Sequence, residues 1–232
     1  MGNLIEGLIQ AVGLIFSLDP ALYEVIWFSL YVSGVALAFS VIVGIPLGSF
    51  LGLKRFVGRR FMMALLYTGM GFPPVVIGLF VYLMLSRSGP AGDLGWLFTP
   101  NAIIVAQTII SFPLVAGFTM AAVMGVNPNL RQQLMSLGAT DWQATVATLS
   151  EARIGVVVAI IAGFGSIISE VGAVMLVGGN IEGKTRTLTT AIVLETRKGN
   201  FDLAMALGII LLLITFLINL AMIRLQGREF AK

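Results

Sequence analysis

Two stretches of the chain carry residue types and spacings that could do chemistry. The first centres on Glu170, the one ionisable side chain inside an otherwise apolar run from 154 to 177, flanked by Ser166 and Ser169 and followed by Gly172. A charge at the centre of a membrane-spanning helix is unfavourable by about 2.5–3.5 kcal/mol on insertion scales, so it needs a partner or a proton. Glu170 therefore reads either as part of a translocation path or its gate, or as a structural acceptor holding the loop that follows. The second stretch, Gly178 to Thr185, satisfies the G-x-x-x-x-G-K-[ST] pattern of phosphate-binding loops. That chemistry needs a strand before the loop, a helix after it and a later strand ending in a magnesium-binding Asp. Here an apolar run of membrane type precedes the loop, and the only Asp downstream, Asp202, follows no apolar run. The match is a coincidence of wording. What remains is a Gly-rich loop with the amide of Asn180, the hydroxyl of Thr185 and the cations Lys184 and Arg186.

The elements that must position these groups are membrane helices. Of the 232 residues 58% are hydrophobic and only 11% charged, and mean hydropathy is +0.99, against about 25% charged in soluble domains. There is no Cys and no His, which leaves no thiol nucleophile, no imidazole base and no thiolate or imidazole metal ligand. The expectation is a chain that is not an enzyme and binds no metal or cofactor. Five segments are long and apolar enough to cross a hydrocarbon core of about 30 Å: 25–53, 61–86, 102–126, 154–177 and 203–223. The fold class expected is an all-α membrane protein with five transmembrane helices. Residues 3–18 are mixed apolar and small, short for a span, and read as an interfacial helix; with Glu6 as their first charge they make a poor cleaved signal.

Net charge is +3 and the isoelectric point about 9.5, but the basic residues sit at the ends of apolar runs rather than along one face. They read as topology signals, not as a nucleic-acid surface. Lys54, Arg55, Arg59 and Arg60 crowd the first connection, while nothing before residue 54 is basic. The N-terminus is expected outside and the C-terminus in the cytoplasm, with nine basic residues inside and five outside. The 178–202 loop, with Lys184, Arg186, Arg197 and Lys198, dissents from that count. Gly44, Gly48 and Gly52 form a small-residue stripe suited to close helix packing. Phe72-Pro73-Pro74 reads as a hinge.

The connection 127–153 lies on the cytoplasmic side in this topology. Asn127-Pro128 reads as a helix start, with Leu130, Leu134 and Leu137 on one face; Gly138 ends it. Asp141 is expected to cap a second short helix whose face is Trp142, Val146 and Leu149. Two short amphipathic helices around a glycine suit docking into a groove on a partner protein, or alternatively lie flat on lipid.

The run Gln132-Gln133-Leu134-Met135-Ser136-Leu137-Gly138-Ala139-Thr140-Asp141-Trp142-Gln143 resembles the coupling loop of binding-protein-dependent ABC importer permeases. That family reads E-A-A, three residues, then G, with Leu-Pro about twelve residues on. Gly138 and Ala139 match, whereas Gln132, Gln133 and Leu134 replace the E-A-A, and Ser150 and Glu151 the Leu-Pro. The stretch Ser169 to Ile181, with Lys184-Thr185-Arg186-Thr187-Leu188 and Ala191-Ile192, resembles the molybdate, tungstate and sulfate permeases. Its Val-Gly-Gly-Asn-Ile wording, with Thr189 to Ile192 and Leu194 to Thr196, looks most like the tungstate branch.

The resemblance covers about residues 25–225 and implies a type I ABC importer permease fold. Residues 1–24 would be an interfacial segment, 25–225 the permease domain with coupling loop 127–153, and 226–232 a cytoplasmic tail. It further implies a homodimer in the inner membrane, two ABC ATPase subunits that carry ATP and magnesium, and an extracytoplasmic oxyanion-binding protein. Gln132, Gln133, Leu134, Leu137, Gly138, Ala139, Asp141 and Trp142 would couple to the ATPase. Ser166, Ser169, Glu170, Asn180, Lys184, Thr185 and Arg186 would form the path or gate. Molybdate and sulfate remain alternatives to tungstate, and an ion-coupled secondary transporter using Glu170 is the alternative of another class.

Overall fold

A computed structural model describes residues 9, 12, 13 and 20–225. The expected interfacial segment at 3–18, apart from the helical residues 9, 12 and 13, and the tail 226–232 lie outside the described residues. Every regular element among the described residues is helical. In chain order these are α1 (Pro20–Leu53), α2 (Arg59–Met70), α3 (Pro74–Leu85), a 3-10 turn at Gly92–Leu94, α4 (Pro100–Met124) and α5 (Pro128–Ser136). They continue with α6 (Asp141–Glu151), α7 (Arg153–Ile168), α8 (Gly172–Gly178), α9 (Leu188–Lys198) and α10 (Phe201–Leu225).

Three of these are single helices long and apolar enough to cross a membrane: α1, α4 and α10. The run at 61–86 is not one helix. It breaks between Met70 and Pro74, because Pro73 and Pro74 lack the amide hydrogens that would continue α2 and their rings exclude the preceding turn. The run at 154–177 is also divided: α7 stops at Ile168 and the seven-residue α8 begins at Gly172. The break places Glu170 between two helices rather than within one. At about 1.5 Å per residue the sixteen residues of α7 rise only about 24 Å. Together with α6, to which it is joined at a 68° bend, it reaches spanning length.

The chain divides into two compact units. The first takes residues up to 36, 73–107 and 165–220. Its core joins Leu22 of α1, Leu188 and Ala191 of α9, and Ala206, Leu207 and Ile210 of α10. In the same unit α3 packs on α8 so closely that a methyl group at Gly78 would stand 2.5 Å from the Ala173 Cα. The second unit takes 37–72, 108–164 and the residues from 221 onward. Here Leu51, Leu66, Ala116 and Met120 form one apolar cluster, and Val123, Ala152 and Val156 another. The Gly44, Gly48 and Gly52 stripe lies directly on α4: Cβ atoms there would meet Val115 Cγ1 at 3.1 Å, the Ala116 carbonyl inside 3.0 Å and the Met120 carbonyl at 3.2 Å. Packing is thus the use of that stripe, as small-residue motifs in membrane helices suggest. Ser40 and Ser111 add a buried hydroxyl pair at 2.6 Å between the same helices.

Candidate functional site

The hairpin α5–α6 belongs to the second unit. Asn127 caps α5, its side chain accepting from the Asn129 amide at 2.9 Å, and Pro128 takes the first helical position. Gly138 turns the chain in the left-handed region, at φ 89°, with nothing within 4 Å of where a Cβ would lie. The second cap differs from expectation. Thr140, not Asp141, is the N-cap of α6, and it forms a reciprocal capping box with Gln143. The T-x-x-Q spacing was legible in the sequence as such a box.

Release from capping frees the Asp141 carboxylate for ion pairs. It meets Lys54 Nζ at 3.1 Å and also the Arg131 guanidinium. The Lys54 hydrogen bond, then its charge, and lastly Arg131 hold the Asp141 carboxyl below its ordinary value. Arg131 also donates to Thr145 Oγ1 at 3.3 Å, so α5 and α6 are cross-braced. At the hairpin's tip Leu137 is 85% exposed and Trp142 74%, with Met135 and Val146 also exposed. Leu130 and Leu134 are half-buried, and Leu149, expected on the face of Trp142, instead packs against the cluster of Val123, Ala152 and Val156. Gln132 and Gln133 are exposed beside the turn, and Ala139 is half-buried. Between α4, α5 and the start of α7 lies a cleft of about 570 Å³ whose lining includes Gly125, Asn127, Gln133, Glu151 and Gly155.

The second group of residues lies in the first unit. Glu170 is half-buried at the break between α7 and α8. Its Oε1 accepts from the Ala173 amide at 2.9 Å, and its own carbonyl accepts from Thr189 Oγ1 at 2.9 Å. The carboxylate thus satisfies one of the orphan donors in the first turn of α8, where negative charge is favoured. The Ser169 hydroxyl donates to the Gly165 carbonyl at 2.7 Å, and Ser166 is half-buried.

The loop after α8 folds on itself rather than around a phosphate. The Ile181 carbonyl accepts from the amides of Lys184, Thr185 and Arg186 at 3.2, 2.9 and 3.0 Å. Thr185 Oγ1 accepts from the Ile181 amide at 2.9 Å and donates to the Gly178 carbonyl at 2.6 Å. With those amides turned inward, and a helix rather than a strand ahead of the loop, no phosphate cradle forms. Asn180 stands in the left-handed region at φ 52°, and its buried Oδ1 has no partner among the described residues. Arg186 pairs with Glu182 at 3.2 Å, while Lys184 is exposed and makes no ion pair among the described residues. Lys184 and Arg186 line a cleft of about 290 Å³ with Glu24, Trp27, Phe28 and Tyr31 of α1.

Helix α9, inside the 178–202 connection, was not foreseen, although Thr187-x-x-Thr190 is a helix-start signal. Their side chains and amides cap each other, and the Ser29 hydroxyl of α1 accepts from the Leu188 amide at 2.8 Å. Glu195 closes the far end, held below its ordinary pKa first by the hydrogen bond from Asn200 and next by Lys198.

Among the described residues the chain combines three long apolar helices, shorter apolar ones and a hairpin with an exposed apolar tip, the build of a polytopic membrane protein. The family model described as binding-protein-dependent transport system inner membrane component matches residues 44–228, and the chain belongs to that family. It is 44% identical over 205 residues to a probable anion ABC transporter permease of Haloferax volcanii, covering 86% of this chain and 88% of that one. It is 39% identical over 226 residues to the tungstate uptake permease TupB of Peptoclostridium acidaminophilum, covering 97% and 99%. Molybdenum and sulfate permeases of Escherichia coli match at 29% and 26%. Among solved structures the inward-facing methionine transporter MetNI superposes with a TM-score of 0.75 at 20% identity, over 90% of this chain and 96% of that one. That likeness shows the type I permease fold. Membership also displaces the ion-coupled alternative built on Glu170.

Proposed function

We propose that this chain is the permease subunit of an ATP-driven oxyanion importer and that its cargo is tungstate. The observation that carries the coupling half of this reading is the hairpin tip, where Leu137 and Trp142 stand exposed on a turn braced through Asp141. An exposed tryptophan on a braced projection is a usual anchor of a protein interface. Gln132, Gln133, Leu134, Leu137, Gly138, Ala139, Asp141 and Trp142 form the surface presented to a partner ATPase, which holds the ATP and magnesium. Two permease chains and two ATPases assemble, with an oxyanion-binding protein on the opposite side. The N-terminus lies outside and the C-terminus inside, with five spans at 25–53, 61–86, 102–126, 154–177 and 203–223, preceded by the interfacial segment within 1–24. The permease domain is 25–225, its coupling loop 127–153, and 226–232 a cytoplasmic tail.

Ser166, Ser169, Glu170, Asn180, Lys184, Thr185 and Arg186 form the path and gate in this proposal, with divided roles. Glu170 and Thr185 hold the shapes of α8 and its loop through the bonds already described, and a carboxylate suits that duty better than contact with an anion. Lys184, Arg186 and Asn180 are the polar groups that face an arriving oxyanion. ATP and loaded binding protein both favour the outward-open state, so each shifts the same equilibrium. Specificity rests mainly with the binding protein; the tungstate permease at 39% against the molybdenum and sulfate permeases at 29% and 26% supports tungstate.

Trp142→Ala tests the docking surface. Loss of an interface anchor removes about 2 kcal/mol or more, roughly 30-fold in affinity for the ATPase. Undiminished co-purification would refute the assignment. Calorimetric titration of the binding protein with tungstate, molybdate and sulfate decides the cargo, and vanadate-insensitive uptake would refute an ATP-driven cycle. Neutralising both Lys184 and Arg186 without loss of tungstate uptake would remove them from the path.

A further inference from the structure

We propose that Lys54 is a positioning residue that ties the hairpin to the C-terminal end of α1, so that the two move as one body when a partner drives the hairpin. This rests on the docking role given above to the hairpin. Three elements converge on one carboxylate: α5 through Arg131, α6 through Asp141 itself, and the residue just past α1 through Lys54. Among the described residues this is the ion pair that reaches from the hairpin to α1.

What lies behind Lys54 gives the link something to pull on. A second cation of the same connection, Arg59, donates from Nε to the Leu51 carbonyl at 2.7 Å and from Nη2 to the Gly52 carbonyl at 3.5 Å. Those carbonyls belong to the last turn of α1, which has no intrahelical donors left and favours a cation. Arg59 also lies against the Met124 sulfur of α4 at 3.7 Å. Gly52 in turn sits where a Cβ would meet both the Met120 carbonyl and Val123 Cγ1 at 3.2 Å, so the end of α1 packs closely on α4. A displacement of Asp141 is therefore passed through Lys54 to a helix end that is closely packed on α4.

The pair is exposed, with 44% and 60% of the two side chains open to solvent, so it adds little to folding. Its effect is registration. That separates the proposal from a stabilising role and makes it measurable. The full transporter carrying Lys54→Ala is reconstituted in proteoliposomes with its ATPase and binding protein, and ATP hydrolysed per tungstate imported is read beside the native transporter. Lys54→Ala is expected to raise that ratio about two- to five-fold, the span set by the weak energy of an exposed ion pair. An unchanged ratio would overturn the proposal. Lys54→Arg is expected to behave as native. Lys54→Ala is expected to keep both its unfolding temperature and its ATPase while losing coupling; loss of the ATPase would instead place Lys54 in the docking surface and overturn the positioning role. Failure of the docking role itself reads differently, as Trp142→Ala still holding the ATPase.

Discussion

Helix α7 follows the hairpin directly, and its contact with α4 can be weighed from a single pair of atoms. A methyl group at Gly155 would come within 3.0 Å of the Ala122 Cβ, while the Ala122 Cα lies at an ordinary 3.4 Å. Gly155→Ala must therefore force the helices apart, and overpacking of this kind costs about 1–3 kcal/mol. For a chain of this size that lowers the unfolding temperature by about 2–12 °C. Ala122→Gly alone loses about 1 kcal/mol of helix preference. Together the two changes conserve volume and exchange one glycine for another, so the double variant should unfold near the native temperature. The coupling energy of the cycle is then about 2 kcal/mol or more in favour of the double variant. The measurement is thermal unfolding of the four detergent-solubilised proteins, with uptake alongside. Additive losses would refute the reasoning, since they would mean that something other than the 122–155 methyl contact limits the approach of α7 to α4.

Other outcomes follow from single side chains. Gly138→Ala, at φ 89° with open space around it, should lose about 1–2 kcal/mol of local backbone energy in the hairpin. ATPase stimulation should fall while the unfolding temperature of the whole chain barely moves. Glu170→Gln keeps an acceptor for the Ala173 amide and should retain most uptake, whereas Glu170→Leu leaves that donor unmet and should cost about 1–3 kcal/mol in thermal unfolding. Asp141 has its carboxyl lowered by Lys54 and Arg131, so the brace is complete above the ordinary value of 3.8 and is lost as pH falls through the lower folded value. Trp142 emission should report loosening only in that acidic window in the native chain, and already at neutral pH in Asp141→Asn.

Several features of the site are legible in the sequence alone. The start of α5 at Asn127-Pro128, the turn at Gly138 and the exposed Trp142 follow from local capping and backbone preference, which depend on a few neighbouring residues. The stripe at Gly44, Gly48 and Gly52 announced a close helix contact, though not its partner. Misplacement of the second cap onto Asp141 came from two adjacent residues that both cap well; Thr140 won because Gln143 completes the box, and Asp141 was then left for cations distant in sequence. Leu149 was placed with Trp142 by periodicity, but periodicity does not say which side of a short helix meets the rest of the unit.

The sequence by itself determined that this is a helical membrane protein, where its apolar runs lie, and that a short helical hairpin interrupts them. Hydropathy, proline and glycine carry that information locally, and a bilayer leaves the backbone few other choices. Tertiary structure alone decided what the polar residues do. It turned the amides at 184–186 inward onto Ile181, set Glu170 at the start of α8, and brought Lys54 to Asp141 across 87 residues of chain. Such pairings depend on which helix ends meet, and no pattern within one segment records that.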